Sequence, residues 1–284
     1  MIEIKHLTHR YPGADKNALE DITFTIEKGE IFGFLGPSGA GKSTTQAIIT
    51  SLLPLQQGEV SVDGVPVTKL GKSFFNRLGV SFELPYIYER LTGFENLKFY
   101  AGLFDVPTED PIKLLTMVGI AESAHQKAGK YSRGMKQRLN FARSLVNKPE
   151  ILFLDEPTAG LDPGTAAMIK DIIHQQIDRG ATIFLTTHNM FTADELCDRV
   201  AFINEGKLVA MDTPRNLKLQ HGQNSVQVEY GNGDQFKTAS FSLDNPEEKE
   251  AFSKLVETKS IQTIHTQEAT LEEIFLKLTG RRLA

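Results

Sequence analysis

The 284-residue sequence holds a single cysteine, Cys197, so no disulfide can form within the chain. That scarcity suits a reducing compartment, and the lone thiol reads as a small buried residue. No apolar run approaches the roughly 18–20 residues that a membrane-spanning helix needs. The longest, such as Ile31–Leu35 and Ile151–Leu154, have the length of strands. The opening Met1-Ile2-Glu3-Ile4-Lys5 lacks the basic-then-apolar layout of a secretory signal. The chain is therefore expected to be cytoplasmic, and work at a membrane would need spans from another polypeptide. There is no excess of positive charge either, since 31 Lys and Arg against 36 Asp and Glu give a formal net charge of −5. That argues against sequence-independent nucleic-acid binding, which needs a basic face, so no nucleic-acid partner is expected. Internal repeats and low-complexity tracts are absent as well.

What is present looks globular. Hydrophobic residues make up 40% and charged residues 24% of the sequence, enough for a packed core. The length accommodates one to two domains. Across residues 1–216, apolar runs alternate with helical patterns, which predicts an α/β fold. Ile31–Leu35, Ile151–Leu154 and Thr182–Thr186 are apolar enough to be strands covered on both faces. Between the last two, Met168, Ile169, Ile172, Ile173 and Ile177 recur at helical spacing, with Gly180 as the C-terminal cap. Residues 217–284 change texture and predict a small α+β appendage. Val226, Val228 and Tyr230 alternate with polar residues, Asn232-Gly233 signals a tight turn, and Phe236 to Phe241 run back as the partner strand. Pro246 opens a helix, Ile261 and Ile264 mark another strand, and Thr270 with Glu273 forms a capping box ahead of Leu271, Ile274, Phe275 and Leu278.

The strongest chemical signal is Gly36-Pro37-Ser38-Gly39-Ala40-Gly41-Lys42-Ser43, which fits the phosphate-loop pattern G-x-x-x-x-G-K-[ST] at every fixed position. An apolar strand precedes it, and a helical stretch from Thr44 to Leu53, stopped at Pro54, comes after. Glycines let backbone N–H groups curl around phosphate oxygens, and the helix turns its positive end toward them. Lys42 would reach the outer phosphates and Ser43 would place its hydroxyl on Mg²⁺. Asp155-Glu156 closes a strand at the edge where ligands gather in open α/β sheets. Alone, two such acids are more often a solvated strand end. Beside a phosphate loop, Asp155 would help hold Mg²⁺ and Glu156 would polarise the attacking water. His188, just past Thr182–Thr186, could bond the terminal phosphate, although a lone histidine there is commonly surface or core. Ser132 stands where a helix N-cap belongs, ahead of Met135, Leu139, Ala142 and Val146 at helical spacing. Such a helix N-terminus is a natural anion site.

In this order, the motifs resemble those of the ATP-binding subunits of ABC transporters, over residues 1–214. The resemblance implies a P-loop NTPase core: a mainly parallel sheet with flanking helices, an antiparallel N-terminal β part, and a helical subdomain over about 84–146. It implies ATP and Mg²⁺ as cofactors and ATP hydrolysis as the activity. Tyr11 matches the aromatic residue that stacks on adenine, although it could also be packed under the first strand. Residues Gly36 to Ser43 form the Walker A loop, and Thr44 completes the nucleotide-binding set. Ile151–Glu156 is similar to Walker B, and Asp162 lies in the loop that crosses the dimer interface. His188 matches the switch histidine. Ser132, Arg133, Gly134 and Met135 align with the signature that faces ATP held by the opposite subunit, either a second copy or a homologous ATPase.

Some positions depart from the pattern. Tyr131, Arg133 and Met135 stand where the signature usually has Leu, Gly and Gln, and Arg133 adds positive charge near the expected phosphate. Glu83 replaces the usual Gln. A carboxylate can still take Mg²⁺ but donates no hydrogen bond unless protonated. Phe82 to Tyr88 would touch a separate transmembrane permease subunit or form core of the helical lobe. The resemblance places the chain at the inner face of the cell membrane, peripherally bound. Its tail, Thr270 to Gly280, and the Tyr-Ser-Arg-Gly-Met form of the signature are similar to exporter subunits. A soluble ABC-type ATPase acting in protein or cofactor assembly is the alternative reading.

Overall fold

The computed structural model describes residues 1–222, 225–232, 235–267 and 269–280. Strands run in chain order as β1 Ile2–His9, β2 Leu19–Ile26, β3 Ile31–Leu35, β4 Gln57–Val62, β5 Val65–Pro66, β6 Leu78–Ser81 and β7 Ile151–Asp155. They continue as β8 Thr182–Thr187, β9 Arg199–Asn204, β10 Lys207–Asp212, β11 Ser225–Asn232, β12 Gln235–Ser242 and β13 Ile261–Gln267. The helices are α1 Lys42–Ile49, α2 Lys72–Phe75, α3 Gly93–Ala101, α4 Pro111–Met117 and α5 Arg133–Ser144. Then come α6 Pro163–Asp178, α7 Met190–Leu196, α8 Pro214–His221, α9 Pro246–Thr258 and α10 Leu271–Thr279. The chain forms two compact units, Met1–Met211 and a second that opens at Asp212.

In the first unit the central sheet has the order β10-β9-β3-β8-β7-β6. The pairs β3–β8, β3–β9, β7–β8 and β6–β7 are parallel. Every residue of β3, β7 and β8 is buried, as continuous apolar strands require when both faces are covered. A second sheet, β2-β1-β4-β5, is antiparallel and alternates buried with exposed residues, so only one face is covered. The two sheets meet through Phe24, whose ring stacks on Phe32 at 5.3 Å and on Phe34 at 5.2 Å. The helices α3, α4 and α5 pack on one another, and α5 also packs on β6. Thr92 and Glu95 form a capping box at the start of α3, while Asp110 caps α4 ahead of Pro111.

The helix after the phosphate loop ends earlier than the sequence suggests. It stops at Ile49 rather than at Leu53. Ser51 turns to φ 59°, and the N–H groups of Leu52 and Leu53 both return to the Ala47 carbonyl, at 2.8 and 2.9 Å. The chain thus leaves the helix before Pro54 could act. Gly180 does close α6, at φ 86° with its N–H on the Ile177 carbonyl at 2.7 Å.

The second unit holds a sheet of order β12-β11-β13, with both pairs antiparallel. Val226 and Val228 are buried on β11, and Phe241 of β12 meets Phe252 of α9 with ring centroids 5.9 Å apart. Asn245 caps α9 ahead of Pro246. Thr270 Oγ1 accepts the Glu273 N–H at 3.2 Å while Glu273 Oε2 accepts that of Thr270 at 2.8 Å. Leu271, Ile274 and Phe275 of α10 are buried, and Leu278 is half-buried. Of the expected Asn232-Gly233 turn, Gly233 lies outside the described residues. Among the described residues no helix is long and apolar enough to cross a membrane.

Candidate active site

Parallel register brings the ends of four strands to one edge. Leu35 pairs with Thr187, Asp155 with Thr186, and Ser81 with Leu154. The segments that leave these strand ends therefore share that edge: the loop from Gly36, His188, Glu156, and Glu83. This is the carboxyl edge where open α/β sheets hold their ligands. A cavity of about 460 Å³ opens there, lined by Tyr11, Ala18, Ser38, Gly39, Gly41, Lys42, Ser43, Thr44, Glu83, Asp155, Glu156 and His188.

The loop needs its glycines. A Cβ on Gly36 would lie 2.2 Å from the Ile203 carbonyl oxygen, and one on Gly41, already at φ 114°, 2.8 Å from that of Ala18. Lys42 bends back over the loop, its ammonium donating to the carbonyls of Gly36 at 2.6 Å and Pro37 at 3.0 Å. Burial pushes the Lys42 pKa below its ordinary value, against the opposing pull of Glu156, Asp155 and Glu83.

The two strand-end acids are held differently. Asp155 accepts the Thr186 hydroxyl at 2.5 Å. Burial raises its pKa, and the charges of Glu156 and Glu83 push the same way, while Thr186 and Lys42 oppose. Glu156 sits at φ 48°, a conformation disfavoured for a side chain of this kind, with its N–H on the Thr186 carbonyl at 2.9 Å. Its carboxylate is fixed on both oxygens. Oε2 accepts the Thr187 hydroxyl at 2.8 Å, and Oε1 accepts the His188 backbone N–H at 2.8 Å and lies 2.6 Å from His188 Nδ1.

Ser43, Glu83 and Asp155 offer only oxygen donors, the chemistry that suits a hard cation. No group of three or more His, Cys, Asp or Glu side chains makes a cation cage among the described residues. Mg²⁺ fits this arrangement, because it typically takes one or two carboxylates and fills its remaining positions with water and phosphate oxygens. Tyr11, also lining the cavity, is half-exposed, its hydroxyl 3.1 Å from Thr44 Oγ1. It is not packed beneath the first strand.

The signature residues lie away from this cavity. Ser132 caps α5, accepting the Met135 N–H at 3.2 Å. Arg133 and Gly134 abut the segment after Glu156: a Cβ on Gly160 would sit 3.6 Å from Arg133 Cζ, and one on Gly134 3.7 Å from Leu161 Cδ2. Asp162 caps α6, accepting the Thr165 N–H at 3.0 Å and hydroxyl at 2.7 Å, and these bonds lower its pKa. Leu84 and Tyr86 are exposed at 65% and 64%, so they are not core of the helical part. Phe82 and Tyr86 line a separate groove of about 440 Å³ with Phe75, Val80, Tyr100, Phe104 and Arg143.

Sequence reasoning missed Thr186 and Thr187, which hold the two acids. It also missed Asn140, fully buried on α5, whose amide donates to Ser81 Oγ at 3.1 Å and the Phe82 carbonyl at 2.8 Å. That pair of bonds ties the signature helix to the chain just before Glu83. Its neighbours one helical turn away, Lys136, Gln137, Arg143 and Ser144, are polar too, so no local pattern marks it.

Known proteins resemble this chain in sequence and in fold. The ABC transporter family model matches residues 19–159, and that of the fluoroquinolone efflux ABC transporter C-terminal domain matches residues 224–268. The chain is 51% identical over 284 residues to the fluoroquinolones export ATP-binding protein of Mycobacterium tuberculosis, covering 100% of this chain and 94% of the relative. It is 32% identical over 311 residues to the linearmycin resistance ATP-binding protein of Bacillus subtilis, covering 100% and 99%. Among solved structures, an ATP-binding subunit of an ABC transporter superposes with a TM-score of 0.71 at 28% identity, over 78% of this chain and 93% of that one. A dimeric ATP-binding cassette in a post-hydrolysis state, bound to ADP and Pi, gives 0.70 at 26% identity over 75% and 98%.

Proposed function

The chain belongs to the ATP-binding, ATP-hydrolysing subunits of ABC transporters, and on that premise we propose that it is the motor of a drug-export complex. The observation that carries this reading is one cavity lined by a phosphate loop, a pair of strand-end carboxylates and a histidine. Two copies, or one copy and a homologous ATPase, close around two Mg²⁺–ATP, hydrolyse them and reopen. The cycle drives a separate transmembrane permease subunit, with the motor on the inner face of the cell membrane. Binding of ATP by the closed pair alone supplies the differential affinity such a switch requires.

Each residue has a part. The loop from Gly36 to Thr44 wraps the phosphates with backbone N–H groups, and Lys42 leaves its own loop carbonyls for the outer phosphates. Mg²⁺, held by Ser43, Asp155 and Glu83, would neutralise charge developing there. Glu156 takes the proton of the attacking water, and His188 bonds the terminal phosphate. Tyr11 stacks on adenine. Ser132, Arg133, Gly134 and Met135 face the nucleotide held by the other subunit, and Asp162 faces the same interface. The aromatic groove beside Tyr86 receives the permease, since exposed aromatics around a cavity suit a docking surface. The cargo is a fluoroquinolone-type compound, a reading supported by the whole-length 51% identity and by the match over 224–268.

Tagged Glu156→Gln, purified with Mg²⁺–ATP from detergent-extracted cells, tests the complex. A polytopic membrane protein in near-equal amount is the expected companion. Recovery of soluble proteins alone, under several detergents, would replace the transporter reading with a soluble ATPase. Inverted vesicles carrying both subunits should then accumulate a fluoroquinolone with ATP, and should fail to with the Glu156→Gln chain.

A further inference from the structure

His9 packs on the Tyr11 ring and Gln56 holds the backbone of the residue before it, and neither lines the cavity that holds the phosphate loop. The Tyr11 ring packs edge-to-face with the imidazole of His9, with centroids 5.0 Å apart and planes at 82°. Its hydroxyl meets Thr44 Oγ1 at 3.1 Å, and its carbonyl accepts the Ala14 N–H at 3.1 Å. The preceding residue, Arg10, is clamped by one side-chain amide. Gln56 Oε1 accepts the Arg10 N–H at 2.9 Å, and Gln56 Nε2 donates to the Arg10 carbonyl at 3.0 Å.

His9 is the unexpected member. It is only 2% exposed, and its Nδ1 has no hydrogen-bond partner among the described residues. Burial lowers its pKa, which favours the neutral ring. A desolvated imidazole with an unpaired nitrogen costs stability that a leucine at this strand end would not. What the imidazole offers in return is a flat edge-to-face contact with an aromatic neighbour, which leucine cannot make. Its only ring neighbour of that kind is Tyr11 among the described residues.

A stacking surface serves a bound base best when its height and tilt are set in advance, because ordering it on binding would cost affinity. We propose that His9 and Gln56 are positioning residues for the nucleotide base, holding Tyr11 as a preformed platform registered to the phosphate loop through the Thr44 hydroxyl. The proposal rests on the reading of Tyr11 as the adenine-stacking residue. Neither His9 nor Gln56 touches nucleotide; both act through the orientation of one ring.

Calorimetry on the full chain with two probes tests this: Mg²⁺–ATP, and Mg²⁺–tripolyphosphate, which has the phosphates and no base. His9→Leu should weaken ATP binding about three- to ten-fold and leave tripolyphosphate unchanged. His9→Phe, which keeps a flat edge, should restore ATP binding, and Gln56→Ala should weaken ATP selectively as His9→Leu does. Equal losses for both probes would mean a disturbed loop and would overturn the proposal, as would unchanged ATP affinity or failure of His9→Phe to restore it. Tyr11→Ala separates stacking from positioning. If it leaves ATP binding unchanged, the stacking role itself is wrong. If it weakens ATP binding while the His9 and Gln56 variants do not, only the positioning role is lost.

Discussion

Glu156 and His188 are joined twice, since one carboxylate oxygen accepts the His188 backbone N–H at 2.8 Å and lies 2.6 Å from its ring Nδ1. The carboxylate is buried while the imidazole side chain is 53% exposed, so the pair links the sheet interior to the cavity. In the proposed role of general base, a carboxylate held this way needs no reorganisation before it meets a water molecule. Glu156→Gln keeps the shape and an acceptor for the His188 N–H. It should lower the steady-state ATPase rate by about 10²–10⁴-fold while leaving ATP affinity within a few-fold. A rate loss matched by an equal loss of affinity would mean that Glu156 binds rather than catalyses.

Thr187 holds the other oxygen. Its hydroxyl donates to Glu156 Oε2 at 2.8 Å and accepts the Asn189 N–H at 3.0 Å, in a position 1% exposed. Thr187→Val removes both bonds with almost no change of shape, and leaves a buried carboxylate oxygen unpaired. The cost should be about 1–3 kcal/mol of unfolding free energy. The ATPase rate should fall with ATP affinity retained, because the base is misplaced rather than the phosphate loop. Urea melts and steady-state kinetics on the same preparation check both parts.

Those two residues also mark the limit of what the sequence reveals. The phosphate loop, the strand-end acids and the capping box at Thr270 are legible because each is a local pattern whose physics acts within a few residues. Thr186 and Thr187 bond acids 31 positions away, and Asn140 bonds Ser81 across 59. Nothing local distinguishes such side chains from any other polar residue at a strand end or on a helix. The capping box of Thr92 and Glu95 is a local pattern too, and a reading centred on the chemical motifs passes over it. Pro54 looks like the natural stop for α1, whereas the turn at Ser51 comes first.

Tyr131, one of the departures in the signature, has a structural cause in Gly93. Its hydroxyl donates to the Ser123 carbonyl at 2.6 Å, and a Cβ on Gly93 would lie 2.3 Å from the Tyr131 hydroxyl oxygen. The tyrosine is accommodated because the first residue of α3 has no side chain. Gly93→Ala should therefore destabilise the chain by about 1–3 kcal/mol through overpacking. In a Tyr131→Leu background, with the usual family residue restored, the same change should cost at least about 1 kcal/mol less. A double-mutant cycle by chemical denaturation measures the difference. Additive effects would show that the ring and the glycine are independent.

Gly33 and Cys197 make a second such pair, at the centre of the main sheet. Glycine in a strand interior is unfavourable unless something needs the space. Here a Cβ on Gly33 would lie 2.7 Å from Cys197 Sγ and 3.0 Å from Val200 Cγ1. The thiol thus fills the room that the missing side chain leaves. Gly33→Ala should cost about 1–3 kcal/mol. Combining it with Cys197→Ala should recover most of that loss but not all, because the approach to Val200 remains. The thiol reports on the same packing. Burial, helped by Asp198 and Asp194, pushes its pKa well above the usual range, so the reactive thiolate is suppressed in the folded chain. Iodoacetamide should leave Cys197 unmodified in native buffer and alkylate it stoichiometrically in guanidinium chloride. In Gly33→Ala, where the sulfur must yield, alkylation under native conditions should accelerate about tenfold for each ~1.4 kcal/mol of stability lost. A fast native reaction in the unaltered chain would show that the thiol is not packed against Gly33 at all.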